Sequence, residues 1–579
     1  ETKKILFIKY YQEFPNREKQ IQVFLDNCGI KLMKDKMSQS IPMDIKLHNS
    51  TKNNIVPVSN KEYERIINID SLYRETLYPY GVDRSSETDF LMNLNDNRFP
   101  VKISDIFDAN GDFVVDEENN EIGKNLFIQK MIGYVSFVKG ENPFKFPYRV
   151  WPNNYNNPSS IIELTNNQQF TYPKYQINDV VIDEPIKYLD IIITDIKDQQ
   201  LKAYNFIIEE LKKNNPILRK KSKGLQYTIT DGPLQALNIT YPHEKLEDDT
   251  INGNESKFLY GKDGLKRTML SDKGKGDFEY KPRYLNKYGR FFSIENLDKY
   301  SAKLYKIMKS IINSKGIILI YSQYIGGGCV PIALALEELG LTRFGNRKNL
   351  FKTSPTEPID SITLKPSLEK DFNPAKYVMI TGDKKLSPNN KEELKASTNP
   401  NNINGEIVKV IIISKAGSEG LDFKNIRQIH LLEPWYNLNR TDQVIGRGVR
   451  NLSHCQLPYK ERNTQIFLYG TNLNNELEAI DLYMYRLAEN KGIQIGKITR
   501  LLKEYAIDCI LNKPQISLSE DIINKTVSQN ISSTNQTINF RLGDKNDSII
   551  CDFTISLKSL RSRSLLCCVE RIIESMRFG

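Results

Sequence analysis

Between Val408 and Asn451 the chain reads VKVIIISKAGSEGLDFKNIRQIHLLEPWYNLNRTDQVIGRGVRN. Val408 to Ile413 are largely apolar and β-branched, the composition of a strand buried on both faces in a parallel sheet. At Ser414 the run breaks into SKAGSEGLDF, where Gly417 and Gly420 permit tight turns and close approach to a ligand. Ile429 to Leu432 spell a second short strand, and Asn439 to Val449 predict a helix. Gln443, Gly446, Arg447 and Arg450 fall at i, i+3, i+4 and i+7 and so share one face of it. An amphipathic helix would ordinarily carry Leu or Ile there. This one gathers an amide, a glycine that lets another surface come close, and two guanidiniums whose planar forks suit phosphate. The bland alternative is a surface helix with two arginines beside a flexible loop.

Gln443 to Arg450 match, without a gap, the Q-x-x-G-R-x-x-R pattern of motif VI in superfamily 2 helicases and translocases, and Ala416 to Phe423 resemble motif V. More narrowly, SKAGSEGLDF followed by HLLEPWYN resembles the helicases of large cytoplasmic DNA viruses, a group that includes the large subunit of the poxvirus early transcription factor. Two adjacent motifs in the right order, joined by a strand, favour the helicase-like reading.

Strand–helix alternation continues from 316 to 470 and predicts an α/β, doubly wound, mostly parallel sheet, with ligands at the strand C-termini. Gly316 to Ile320 is an apolar strand running into Tyr321-Ser322-Gln323-Tyr324, then Gly326 to Gly328 and a helix from Val330 to Leu339. The glycine run lacks the lysine of a phosphate loop and the spacing of a dinucleotide fingerprint. By the resemblance, this strand end is motif IV, and Ser322 and Gln323 contact the nucleic-acid backbone. Tyr377 to Ile380 end in Thr381-Gly382-Asp383, where the resemblance makes Thr381 and Gly382 donors to nucleic-acid phosphate. A helix is expected near Lys391 to Ser397, a last strand over Gln465 to Tyr469, and a long helical region over Leu477 to Leu511.

Outside this domain the sequence says less. Residues 1–125 read as a mixed α+β region, 126–290 as an insertion or accessory region, 291–475 as the RecA-like domain, and 476–579 as a helical extension and tail in which 515–540 form a Ser/Asn/Thr-rich linker. GYVSFVKGENPFKFPYRVWP (133–152) interleaves bases with aromatics, which suits either a nucleic-acid track or a proline-braced surface. Basic, Gly-rich stretches at 219–223 and 273–290 read as solvated loops, the second able to add backbone contacts. Val180 to Pro185 (VVIDEP) mimics a magnesium-holding strand end, but no G-x-x-x-x-G-K-[ST] precedes it, so a catalytic role is rejected. Asp108 to Asp112 superficially resemble a calcium loop, but Phe113 stands where that loop needs glycine.

A net charge of +10, from 81 basic and 71 acidic residues, is compatible with a nucleic-acid partner without demanding one. Seven cysteines without a C-x-x-C pair give no zinc pattern and suit a reducing compartment, and no apolar run is long enough to span a bilayer.

The resemblance covers the regions around 130–152 and 290–552. It implies the C-terminal half of an ATP-dependent viral helicase, acting in the host cytoplasm or the virion, with nucleic acid and possible viral RNA polymerase as partners. ATP with Mg2+ would lie between two RecA-like domains, the missing first one supplying the phosphate loop. Arg447 and Arg450 would serve the transition state, Gln443 and Gly446 the nucleotide, and Gly417, Gly420 and Asp422 would couple nucleotide state to the track. The rival is a non-catalytic, transcription-factor-like module that docks on DNA or polymerase. Intact Gln443, Arg447 and Arg450 favour the motor; the absent phosphate loop favours the module unless the chain is a fragment.

Overall fold

The computed structural model describes residues 30–34, 45–49, 54–57, 102–108, 111–131, 134–136, 145–219, 224–225, 227–271, 277–345, 349–366, 372–388, 390–415, 421–507 and 524–542. The chain divides into a unit over 1–132 and a larger one over 133–579. In the first, strands β1 (Ile30–Lys34), β2 (Ile45–Asn49) and β3 (Asn54–Pro57) form an antiparallel sheet. Farther along, Phe107 and Phe113 form an isolated bridge and stack at 5.2 Å.

The larger unit is built on an eight-stranded parallel sheet. Its strands are β4 (Tyr148–Val150), β5 (Ile192–Asp195), β8 (Ile317–Tyr321), β9 (Thr342–Arg343), β10 (Lys376–Ile380), β11 (Val410–Ile413), β12 (Ile426–Leu431) and β13 (Asn463–Asn472). The order is β4-β13-β12-β8-β11-β10-β9, with β5 also paired to β13. A short antiparallel pair, β6 (Met269–Leu270) and β7 (Glu279–Tyr280), lies apart.

Both faces of the sheet are covered, and the strand sequences show why. Ile318, Ile320, Tyr377, Met379, Val410 and Ile412 enter one apolar cluster with helices α4 (Ala302–Ile312) and α5 (Val330–Glu338). The alternate residues Leu319, Tyr321, Val378, Ile380, Ile411 and Ile413 enter another, with residues of α6 (Asn390–Ser397), α7 (Leu438–Gly448) and α8 (Ile480–Glu504). Side chains alternate between faces along a strand, so a strand apolar at every position requires cover on both sides. A third cluster joins α8 to helices α1 (Asp198–Asn214) and α2 (Tyr227–Asn238).

Three expectations need correction. The sheet does not begin at 291: β4 and β5, from the supposed accessory region, pair with the outer side of β13. The supposed linker holds a hairpin, β14 (Thr526–Asn530) and β15 (Thr537–Arg541), so the C-terminal extension is not simply helical. This hairpin docks by side-chain bonds: Gln428 donates to the Ser532 hydroxyl at 3.0 Å, and Gln465 donates to Ser533 at 2.8 Å. The long helical region ends as a helix at Glu504.

Candidate functional site

The register of the sheet assembles the site. Ile413 lies opposite Tyr321, Leu431 opposite Tyr321, and Ile380 opposite Ile413. Four strands therefore end in line, and Ser322, Thr381, Ser414 and Leu432 follow side by side. From β8 the chain builds β10 and β11 on one side before crossing to β12 and β13 on the other. This is the topological switch point, where open α/β sheets bind ligands beyond the strand C-termini.

Helix α7 stands over this edge. Leu438, Thr441, Val444, Ile445 and Gly448 are buried and fix the helix on the sheet. That leaves the opposite face outward: Gln443 is exposed and Gly446 and Arg447 are half-buried, while Arg450, also half-buried, follows two residues after the end of the helix. The two guanidiniums turn toward the loop after β11. Arg447 Nη1 donates to the Leu421 carbonyl at 3.2 Å, and Arg450 Nη2 pairs with Asp422 Oδ1 at 2.8 Å. Nε of each arginine has no partner among the described residues. A methyl group added at Gly446 would meet nothing within 4 Å among the described residues. Gly417 and Gly420 lie outside the described residues.

The strand ends are braced from beneath. Glu433, 3 % exposed, accepts from the Ser322 hydroxyl at 3.0 Å, from the Asn238 amide at 2.9 Å and from the Gln323 N–H. Burial pushes its carboxyl up to about 7, against the pull of these donors. Behind it, fully buried Lys303 pairs with Asp481 at 2.7 Å and donates to the Leu432 carbonyl at 3.2 Å. Gln323 in turn accepts from Arg440 Nη1 at 3.1 Å, and that guanidinium lies 3.6 Å over the Trp435 ring.

The expected nucleic-acid contacts are therefore unequal. Ser322 is buried and its hydroxyl is spent on Glu433, so that side chain does not face a track. Thr381 is also buried, its hydroxyl 2.8 Å from that of Ser387. Gly382 is exposed and Gln323 half-buried. Asp183 and Glu184 sit on an exposed loop, not at a strand end. The sequence reading missed Arg440 and Glu433. Arg440 precedes Gln443 by three and Arg447 by seven, the spacing that grouped the other polar residues. Glu433 was legible only as an acid directly after an apolar strand.

Residues 344–452 match the family model described as the helicase conserved C-terminal domain. The chain is 31 % identical over 232 residues to a protein of Invertebrate iridescent virus 3 provisionally named a helicase, covering 39 % of this chain and 22 % of that one. It is 30 % identical over 241 residues to the termination factor NPH-I homolog of African swine fever virus, covering 37 % of this chain and 33 % of that one. Against a protein of Acanthamoeba polyphaga mimivirus provisionally named an ATP-dependent RNA helicase, the figures are 24 % over 460 residues, 79 % and 60 %. The chain thus spans from about a fifth to three fifths of these relatives.

Proposed function

We propose that this chain is the C-terminal part of an ATP-dependent nucleic-acid motor of viral type, in which Arg447 and Arg450 contact the phosphates of a nucleotide shared with a first RecA-like domain. The observation that carries the reading is the outward face and C-terminal end of α7: two guanidiniums that, among the described residues, are held by a carbonyl and an exposed carboxylate, beside a glycine. Partners that weak can be displaced by phosphate, which an Arg fork grips bidentately. Bound ATP with Mg2+ supplies the phosphoryl group and the metal's charge, and the first domain supplies the metal's ligands in this reading. The residues here hold and orient: Arg447 and Arg450 neutralise charge on the phosphoryl oxygens, Gln443 reaches the nucleotide, and the 414–423 loop, tied to α7 through Phe423 N–H to the Arg447 carbonyl at 3.0 Å, reports its state to the strand ends. Gln323 and the exposed Gly382 face a nucleic-acid backbone there. Movement along DNA or RNA, a part in viral transcription beside the polymerase, and a site of action in the host cytoplasm or the virion belong to the same proposal.

The test is steady-state ATP turnover, with saturating nucleic acid, of a protein that joins this chain to the first motor domain. An arginine that stabilises a transferring phosphoryl group contributes about 10³–10⁵ in rate. Arg447→Lys and Arg450→Lys keep the charge but lose the fork, and each is expected to cripple turnover with the melting temperature held. If turnover survives as well, the guanidiniums are not at the phosphate, and the docking-module reading replaces this one.

A further inference from the structure

We propose that helix α3 (Gly261–Thr268), outside the motor motifs, forms a second contact surface for nucleic-acid phosphates and prolongs the path that leaves the end of β8. The sequence of the helix, GKDGLKRT, sorts its residues by face. Gly261, Gly264, Leu265 and Thr268 are buried, at i, i+3, i+4 and i+7. Gly264 is pressed against Tyr241, where a methyl group would overlap the ring. Lys262 and Lys266, four apart, are therefore driven outward together, and both are exposed.

Two observations separate this surface from an ordinary solvated face. First, Lys257, Lys262, Lys266 and Arg267 have no carboxylate partner among the described residues, whereas Lys287 and Lys245 nearby pair with Glu247 and Glu255. Lys257 and Arg267 lie over the Phe258 ring instead, at 5.2 and 5.3 Å. Between Lys257 and Thr268 four basic residues, Lys257, Lys262, Lys266 and Arg267, stand against one acidic residue, Asp263. An unneutralised cluster of this kind is the electrostatic footprint of a polyanion. Second, the helix starts against the helical turn Ile325–Cys329 that follows β8. A methyl group on Gly326 would lie 3.0 Å from Lys262 Cβ, and one on Gly327 would lie 3.3 Å from Gly261 Cα. Lys262 thus packs against a residue three positions after Gln323.

The experiment measures binding of the full chain to a labelled single strand and to a duplex across a salt series. Lys262→Gln with Lys266→Gln removes two contacts without touching a buried group. Each phosphate contact contributes about 0.7 to the log–log salt slope for a single strand and about 0.9 for B-DNA. The double variant is expected to be shallower than wild type by about 1.4 and about 1.8 respectively, with an unchanged melting temperature. Lys315→Gln with Lys460→Gln, exposed lysines near the opposite strand ends, is the control and should keep the wild-type slope. A wild-type slope in the α3 variant, or equal flattening in the control, overturns the proposal while leaving the motor reading intact. Absence of nucleic-acid binding by the wild-type chain overturns both.

Discussion

Arg450 and Asp422 form an ion pair at 2.8 Å in which both side chains stay in contact with water, 43 % and 67 % exposed. An exposed pair of this kind contributes about 0–1 kcal/mol to stability. Asp422→Asn should therefore lower the unfolding free energy by no more than about 1 kcal/mol. Urea denaturation checks it. A loss well beyond that would make the pair structural and leave Arg450 unavailable to phosphate.

Gly446→Ala should separate stability from activity. The position is helical, and a Cβ there meets nothing within 4 Å. Ala in a helix is favoured over Gly by about 1 kcal/mol, so the variant should melt slightly higher. Turnover of the joined motor should fall, because the open space is reserved for what closes over α7. Unchanged turnover would show that nothing approaches Gly446.

The chain alone should release no phosphate from ATP, with or without nucleic acid. It carries no phosphate loop sequence, and phosphoryl transfer depends on a positioned metal and an oriented water. Turnover abolished by Arg447→Ala would reveal a phosphate-binding loop that the motif order does not account for.

Glu433→Ala should destabilise by about 1–3 kcal/mol or more, since it strands the Ser322 hydroxyl, the Gln323 N–H and the Asn238 amide. The penalty should depend on pH. Burial raises the folded carboxyl from 4.5 to about 7, so the folded state holds its proton longer than the unfolded one. The stability due to this group is fully present below about pH 4.5 and declines toward pH 7, by on the order of 3 kcal/mol. The gap between wild type and variant in melts at pH 5 and pH 8 should narrow accordingly. A gap that widens over this range would contradict the assignment.

His430 should behave in the opposite sense. Its ring is fully buried, stacked 4.5 Å from Phe467 and bonded to the Tyr469 hydroxyl at 2.7 Å. Burial lowers its folded value from 6.5 to about 3. Its contribution is present above about pH 6.5 and is lost as pH falls toward 3. His430→Phe should cost stability at pH 8, with the deficit shrinking at pH 5. Parallel melting curves across that range would show that the ring does not titrate as described.

The strands and helices of the parallel sheet were legible because each carries an apolar run or an apolar stripe. Val410 to Ile413, apolar and β-branched throughout, read as a strand covered on both faces, and α7 declares its buried face through Leu438, Val444 and Ile445. The outward Gln443 and Arg447 follow from the same periodicity, whereas Arg450 lies past the helix end and is placed by its pair with Asp422. What stayed hidden depends on partners distant in the chain. The polar β14, TVSQN, has no apolar signature of its own and is held by Gln529, which accepts from the Asn463 amide at 2.9 Å. The burial of Ser322 and Thr381 likewise depends on Glu433 and Ser387, which no local pattern ties to them.

The ten-residue β13 has a bearing on how the protein is made. Its outer edge is occupied by residues that precede it by about three hundred positions, Tyr148 opposite Asn463 and Asp195 opposite Asn472. Contacts of such separation form slowly. During synthesis β4 and β5 have no parallel partner strand until β13 has been made, although β5 can already bridge to Ser160. A recombinant protein begun at residue 291 would never receive them. It would carry a bare strand edge from 463 to 472, a template for intermolecular pairing. Soluble expression of this domain thus calls for a start upstream of β4, well before β8.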